Sequence, residues 1–455
     1  MRLTGEGTSF RKSLKVEVRD EALSPFGGVV LLREFEERSG FLGRALRALV
    51  DPRRASHVLH ELAVLFRFAV YRIVLGMPDV LDAERLRHDP VLRAILAPEH
   101  QDRLPGLLPG KSTLHRFLTQ VLSCRANRRV LWRTTLDTAL HPLLSARKKP
   151  RRIFVDLDST EIEAHGQQQG AVNNGHFRSI CFHALSLSLA PFGTTLGFLL
   201  RPGHVATARH AVAFVMPILH ALRRRLGPEV QIVLRADSGF AVPLLFRRLE
   251  QAGFFYVIRM RENARLCREF GRISHRPPGR PSSRRSLFRY ASGTYRSRTW
   301  SRARRVVARA EFVPGFLFPD WIYLCVHLPD AGAPEELVRT YLERGRSEQV
   351  HDLFKNEMHG ALMSHHRLVH NQVRAWLTAI ALNLLLAFEF RCRGPRPPTR
   401  PATLRTRLLL RAASMLRHAR SLVLRLSATP AENRLLRDLA ARIRSCRPPP
   451  ALVGT

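Results

Sequence analysis

Ile153-Phe154-Val155-Asp156-Leu157-Asp158 is a short run of apolar and β-branched residues that ends in acid. Such a run reads as a buried strand delivering a carboxylate at its end. Within 183–189, Leu185, Leu187 and Leu189 alternate, and a Pro191-Phe192-Gly193 turn leads into a further apolar stretch at 195–200. Alternation at period two around turn residues is the pattern of antiparallel neighbours. Helical spacing covers 207–226 and stops at Gly227-Pro228, the residue types that end helices. A fourth strand at 230–236 delivers Asp237, and a helix at 243–251 leads to a fifth strand at 254–258.

The order β-β-β-α-β-α-β is that of a ribonuclease-H-like α/β domain with a mixed sheet. Its first and fourth strands are neighbours, so Asp158 and Asp237 are expected side by side. Asp156 shares the pleat face of Asp158, and parity alone leaves both open as the acid of the first strand.

A third carboxylate lies in Tyr341-Leu342-Glu343-Arg344-Gly345-Arg346-Ser347-Glu348-Gln349-Val350-His351-Asp352-Leu353-Phe354-Lys355. At about 100° per residue, Tyr341, Arg344, Glu348 and Lys355 fall within roughly 60° of one helix face. Arg344 can grip a phosphate with two parallel bonds, Lys355 can act as a point charge on the scissile strand, and Tyr341 can orient the backbone. The plainer reading is a solvated amphipathic helix with i,i+4 ion pairs. Three carboxylates repel one another unless cations sit between them. Hard oxygen ligands suit Mg²⁺ or Mn²⁺, and two ions roughly 4 Å apart can activate a water or a 3′-hydroxyl while stabilising the leaving oxygen. Asp158, Asp237 and Glu348 are therefore the expected catalytic and metal-ligating residues.

The 455 residues carry 74 basic against 37 acidic side chains, a formal net charge of +37. Such a surplus repels itself unless a polyanion is the usual partner, and DNA or RNA is the expected one. A bias toward arginine across the proteome is the competing explanation, since only six residues are lysine. The six cysteines are scattered without a Cys-x-x-Cys pair, which excludes a zinc ribbon and a secreted disulfide framework. No signal-peptide core is legible in 1–20, and the most apolar stretch, 376–388, contains Asn383 and is short for a bilayer. A buried helix, no membrane association and a cytoplasmic location are expected.

Five regions follow: a helical N-terminal DNA-binding or dimerisation region at 1–147, the first part of the catalytic core at 148–265, a basic β-rich insertion at 266–335, the second part of the core at 336–392, and a basic C-terminal arm at 393–455. The arm is expected to hold two helical stretches around Leu422-Val423-Leu424-Arg425-Leu426. From Arg276 to Arg309 there are eleven arginines and no acid, with aromatics interleaved. Arg298, Trp300, Arg304 and Arg305 are the candidate DNA contacts there. Ser238-Gly239 lacks the preceding glycine of a nucleophile elbow. The histidines at 351, 359, 365, 366 and 370 have no partners at zinc-ligand spacing, and Arg209, Arg223, Arg224 and Arg225 read as the solvated side of a helix.

At these residues the chain resembles the DDE transposases of bacterial insertion sequences, in the group with a Tyr-x₂-Arg-x₃-Glu-x₆-Lys signature, here Tyr341, Arg344, Glu348 and Lys355. Asp158-Ser159-Thr160 is similar to the first motif of that family and Arg235-Ala236-Asp237-Ser238-Gly239-Phe240 to the second. His165-Gly166-Gln167-Gln168-Gln169-Gly170, Asn174-Gly175-His176, Leu86-Arg87-His88-Asp89-Pro90 and Ser112-Thr113-Leu114-His115-Arg116-Phe117 resemble an IS-thirteen-eighty-like branch. The Asp-x-Thr match favours Asp158 over Asp156. The resemblance implies a protein that binds the terminal inverted repeats of its element, pairs two ends in a synaptic homodimer, cuts, and joins 3′-hydroxyls to target DNA. It also implies that the insertion contacts double-stranded end DNA, with Trp300 either stacking on a flipped base or packed as a core tryptophan. Two rival readings stand beside it: another two-metal nuclease or resolvase on the same fold, and a catalytically silent DNA-binding descendant of a transposase.

Overall fold

The run from Ile153 opens a long strand, β1 (Arg152–Glu163), which continues past Asp158 instead of ending there as expected; β2 (Ser179–Ala190), β3 (Thr194–Leu199), β4 (Gln231–Ala236) and β5 (Phe255–Met260) follow. The computed structural model describes residues 10, 13, 22–97, 106–146, 150–276, 278, 285–330, 332–393, 399–418 and 421–449. β1 pairs antiparallel with β2 and parallel with β4; β3 adds to β2 and β5 to β4. This is the expected order, with the first and fourth strands adjacent. Leu157 faces Ala236 across the parallel pair, so Asp158 and Asp237 leave neighbouring strands at the same level.

Seven helices matter for the site: α1 (Leu62–Val74), α2 (Arg125–Leu144), α3 (Ala211–Leu226), α4 (Pro243–Gln251), α5 (Pro334–Leu342), α6 (Arg346–Asp352) and α7 (Leu368–Arg393). Helix α3 starts four residues later than its spacing suggests, because His210 takes a left-handed backbone, φ 63°, at its N-cap. The pleat divides β1 between two layers. Val155 and Leu157 pack with α2 and α3, through Leu136, Leu140, Val215 and Leu219. The opposite face packs under α5, where Leu337, Val338 and Tyr341 meet Val233, Val257 and Leu324. Asp156 and Asp158, one residue out of phase with Val155 and Leu157, therefore sit on the α5 side.

The segment read as a β-rich insertion is no separate body. Its strands β6 (Leu287–Tyr295), β7 (Arg304–Phe312) and β8 (Asp320–His327) continue the same sheet, with β8 antiparallel to β5. With the short strand Val172–Asn174 the sheet has nine strands. The physical reason is edge protection: β5 would otherwise expose its hydrogen-bonding row, and β8 covers it. The C-terminal arm also departs from expectation. The alternating Leu422 to Leu426 is a strand of a hairpin, Ala413–His418 with Ser421–Leu426, which pairs with Leu23–Ser24 at the other end of the chain; one helix, Pro430–Arg444, follows. Period-two alternation is the better guide there than the helical reading. The basic run at 147–149, most of the arginine–proline loop at 277–284 and the linker at 394–398 lie outside the described residues.

Helix α7 is long and apolar enough to cross a membrane by length and composition, yet 89% of its most apolar window is buried inside the fold. It packs with α1 and α2 and with Phe182 and Phe198 of the sheet. Asn383 locks it in place. Its Nδ2 donates to Thr195 O (3.0 Å), Thr135 O (3.2 Å) and Thr138 Oγ1 (3.1 Å), while its Oδ1 accepts from Thr195 N (2.8 Å). One amide thus joins α7, α2 and β3. Asn383→Leu is expected to lower unfolding stability by about 2–4 kcal/mol, because buried backbone groups lose their partners. Chemical denaturation checks this, and an unchanged midpoint would show that the joint is dispensable.

Candidate active site

Asp158 and Asp237 owe their placement to parallel pairing, and their local geometry is set by short polar contacts. Asp158 Oδ1 accepts from Ser159 N at 3.0 Å. Asp237 Oδ1 accepts from Gly239 N at 2.9 Å and so caps the turn Ser238–Phe240. Gly239 is required by space: a Cβ there would come 2.8 Å from Thr207 Cγ2 and 3.1 Å from Asp237 Oδ1. Burial pushes the Asp237 carboxyl above its ordinary pKa, and the charge on Asp158 adds to this while Arg344 opposes it. Two carboxylates share one low-dielectric corner and call for a cation.

Asp156 is committed elsewhere. Its two oxygens take Nε and Nη2 of Arg235 at 2.6 and 2.8 Å, with side chains 3% and 1% exposed. Arg235 Nη1 also donates to Thr340 O at 2.6 Å, and its guanidinium lies 4.8 Å from the centre of the Phe154 ring. This ion pair ties β1 and β4 to the end of α5. Asp158, two residues on, has other partners, the Ser159 amide and Arg344.

The stretch from Tyr341 to Lys355 is not one regular helix. α5 ends at Leu342, Glu343–Gly345 is a 3₁₀ turn, α6 follows, and Leu353–Glu357 widens into a π-helix. A 3₁₀ turn advances about 120° per residue and a π turn less than 100°, so the common face expected from uniform winding breaks up. Tyr341 is buried against the sheet, and burial raises its pKa. Arg344 turns inward, its Nη2 2.7 Å from Asp158 Oδ2 and 3.4 Å from Leu157 O. Burial opposes its charge, yet Asp158, with Tyr341, Asp237 and Asp156, holds its pKa above the ordinary value. Lys355 is half-buried; burial lowers its pKa and the charge of Glu161 counters this. Glu348 is exposed. Among the described residues no group of three acidic, histidine or cysteine side chains is close enough to hold a metal ion. The expected convergence of three carboxylates is thus met by two, with an arginine against one of them.

Sequence reasoning passed over Ser186 and weighed His351 only as a zinc ligand, which it discounted. Ser186 is the cross-strand partner of Asp158, and its Oγ lies 2.6 Å from His351 Nε2. Burial lowers the pKa of His351, against the pull of Asp158 and Glu348. The available signal was spacing, since His351 stands one helical turn after Glu348.

The candidate DNA contacts on the β-rich segment divide. Trp300 is 5% exposed, packed edge-on against Phe246 (5.3 Å) and Tyr295 (5.6 Å), with Arg304 over its ring at 5.0 Å. It is a core residue, and no base can reach its face in this packing. Arg304 is buried too, bridging to Glu250 at 2.7 and 3.0 Å. Arg305 is partly buried, bonded to Ser292 Oγ and Gly332 O. Arg298 alone of the four is exposed.

The sheet order, with aspartates level with each other on its neighbouring parallel strands, defines the ribonuclease-H-like class. A family model described as Transposase DDE domain group 1 matches residues 6–448, and the chain belongs to that family of DDE transposases. No curated protein matches. The solved structures that match include a cryo-EM structure of a piggyBac transposase synaptic complex with hairpin DNA, at 12% identity and a TM-score of 0.41, covering 83% of this chain and 78% of that one.

Arg235→Met should lower stability by about 3–5 kcal/mol, because it strands Asp156 in the core, whereas Asp156→Leu combined with Arg235→Met should recover most of that loss. Denaturation of the single and double variants checks this; equal losses in both would mean that the pair acts through packing alone.

Proposed function

We propose that this chain is the cut-and-paste transposase of a bacterial insertion sequence, of the IS-thirteen-eighty-like branch, working in the cytoplasm on the nucleoid. It binds the terminal inverted repeats of its element as duplex DNA, pairs two ends as a homodimer, cuts them and transfers the 3′-hydroxyls to a target. The observation that carries the reading is Asp158 level with Asp237 on neighbouring strands, with Arg344 against Asp158, in a chain matched along 6–448 by a DDE transposase family.

The donor set fits a hard divalent cation: two aspartates crowd one corner, and the proton affinity of Asp237 is already raised by burial and by its neighbour. Asp158 and Asp237 would hold Mg²⁺ or Mn²⁺, with Glu348 proposed as the third ligand and two ions as the complement. When bound, the metal supplies an activated nucleophile and charge relief at the leaving oxygen. Arg344 balances the aspartates in the DNA-free protein and is the group placed to take a phosphate oxygen when the strand enters. Lys355 serves the same strand as a point charge, and Tyr341 backs the turn that carries Arg344. Ser186 and His351 hold α6 against the strand pair that bears Asp158. Arg298 is the surface cation proposed to follow the DNA backbone; Arg304 and Arg305 brace the sheet.

The test is a DNA fragment bearing the element's own end, incubated with purified protein with and without Mg²⁺. Alanine at Asp158, Asp237 or Glu348 should lower cleavage by at least about a hundredfold while end binding persists, the weight of several kcal/mol of metal-assisted stabilisation. Retained cleavage in any one variant removes that residue from the site. Arg298→Ala should weaken binding and reduce the slope of log affinity against log salt by about one unit, whereas Arg304→Ala should lower the melting temperature instead. A slope unchanged by Arg298→Ala would place the DNA path elsewhere.

A further inference from the structure

Large apolar side chains left outside the core are mostly isolated, as on any protein surface. Three stand in a row. Phe316, Leu317 and Phe318 are 72%, 86% and 79% exposed, in the turn between β7 and β8. The turn reads Val313-Pro314-Gly315-Phe316-Leu317-Phe318-Pro319, with Gly315 at φ 83°. A proline at each side and a left-handed glycine restrict the loop and keep the three side chains presented. Leu287 and Phe288, at the start of the neighbouring β6, are also exposed and extend the patch toward the sheet.

Strand register says where this turn lies. Ala236 faces Ile258, so Asp237 is level with Arg259, whose partner on β8 is Leu324. Asp320 is four residues nearer the turn, roughly 13 Å along the strand, and β8 stands two strands from β4, roughly 10 Å to the side. The turn therefore overhangs the same end of the sheet as Asp158 and Asp237, roughly 16 Å or more from Asp237. At its root Asp320 faces Glu311 across the strands. Glu311 is itself paired with Arg309 at 2.7 Å, and the tip from Val313 to Pro319 carries no charged side chain, so it has no group with which to follow a DNA backbone. Bases, with apolar faces and stacked edges, are the part of a duplex that such a tip can enter.

We infer that Phe316-Leu317-Phe318 is an apolar wedge that enters a base step of the duplex held at the aspartates, unstacking it roughly half a helical turn from the cut. The inference rests on the transposase reading above. It gives the sheet extension a mechanical role, which is to bend the end so that the strand is presented to Asp158 and Asp237. Exposed apolar area that costs free energy in the free protein is then covered in the complex.

The experiment uses the full chain and duplexes bearing the element's end, with 2-aminopurine placed at successive positions along the first ten base pairs. Wild-type protein should raise the fluorescence of one position or an adjacent pair, roughly four to seven base pairs from the cut. The combined variant Phe316→Ser, Leu317→Ser, Phe318→Ser should lose that rise and bind roughly tenfold to a hundredfold more weakly. Its salt slope should stay unchanged, because no phosphate contact is lost. Because the turn is exposed, its melting temperature should match wild type, which separates a lost wedge from a misfolded protein. Fluorescence that stays flat at every position while wild-type protein cuts the end overturns the wedge and leaves the transposase reading standing. So does a variant that binds as tightly as wild type, or one whose only change is loss of self-association in sedimentation, which would make the turn a contact between copies. Wild-type protein that neither binds nor cuts the end overturns both.

Discussion

The site is organised by one buried ion pair, Asp156 with Arg235. It crosses from β1 to β4 and reaches on to Thr340 O at the end of α5, so a single guanidinium spans the two strands and the helix segment that leads to Arg344. Two unit charges out of water are stable only when their hydrogen bonds are met, and here the carboxylate is held by two donors at once. That requirement sets the level of the strands relative to each other. Asp158 and Asp237 follow two residues behind the pair, and Arg344 follows four behind Thr340, so their meeting is a consequence of the same anchor.

Arginine does two jobs in this chain. Part of its positive charge is internal: Arg72, Arg201, Arg235 and Arg374 are buried, and Arg201 joins His183 O of β2 to Ala206 O and Thr207 O in the loop after β3. Burial lowers the pKa of Arg72 to about 9 and that of Arg201 to about 10. A guanidinium with several donors in one plane suits this bracing of carbonyls, which a lysine could not reproduce. The net charge of +37 is therefore not a map of the DNA path. Arg304, a candidate DNA contact by its sequence context, is a strut against Glu250, while Arg298 from the same cluster faces solvent.

The five-strand order was legible because apolar runs, turn residues and acid ends report local periodicity, which the chain obeys. Asp237 just past the end of β4 was legible for the same reason, whereas the continuation of β1 beyond Asp158 to Glu163 was not. The winding between Tyr341 and Lys355 was not, since a 3₁₀ turn and a π segment leave no mark in hydrophobic spacing. Trp300 stayed open in the sequence because an aromatic among arginines looks alike whether the arginine meets DNA or, as with Arg304, stacks on the ring inside. The sheet extension looks like an insertion because its strands are separated from the core in sequence, although β8 completes the edge of β5.

By itself the sequence determined the order of strands, the acid that follows β4 and the burial of the helix around Asn383, all of which depend on neighbours a few residues away. Only the tertiary structure decided that Asp156 is spent on Arg235, 79 residues on, that Arg344 reaches the β1 strand across 187 residues, and that Trp300 is core. The reason is physical: periodicity says which face of an element is apolar, but the partner of a charge is chosen by whichever distant element the packing brings within hydrogen-bond reach. The acid pair on one face of β1 shows the limit, for the pleat makes Asp156 and Asp158 equivalent and the packing around Arg235 and Arg344 makes them different.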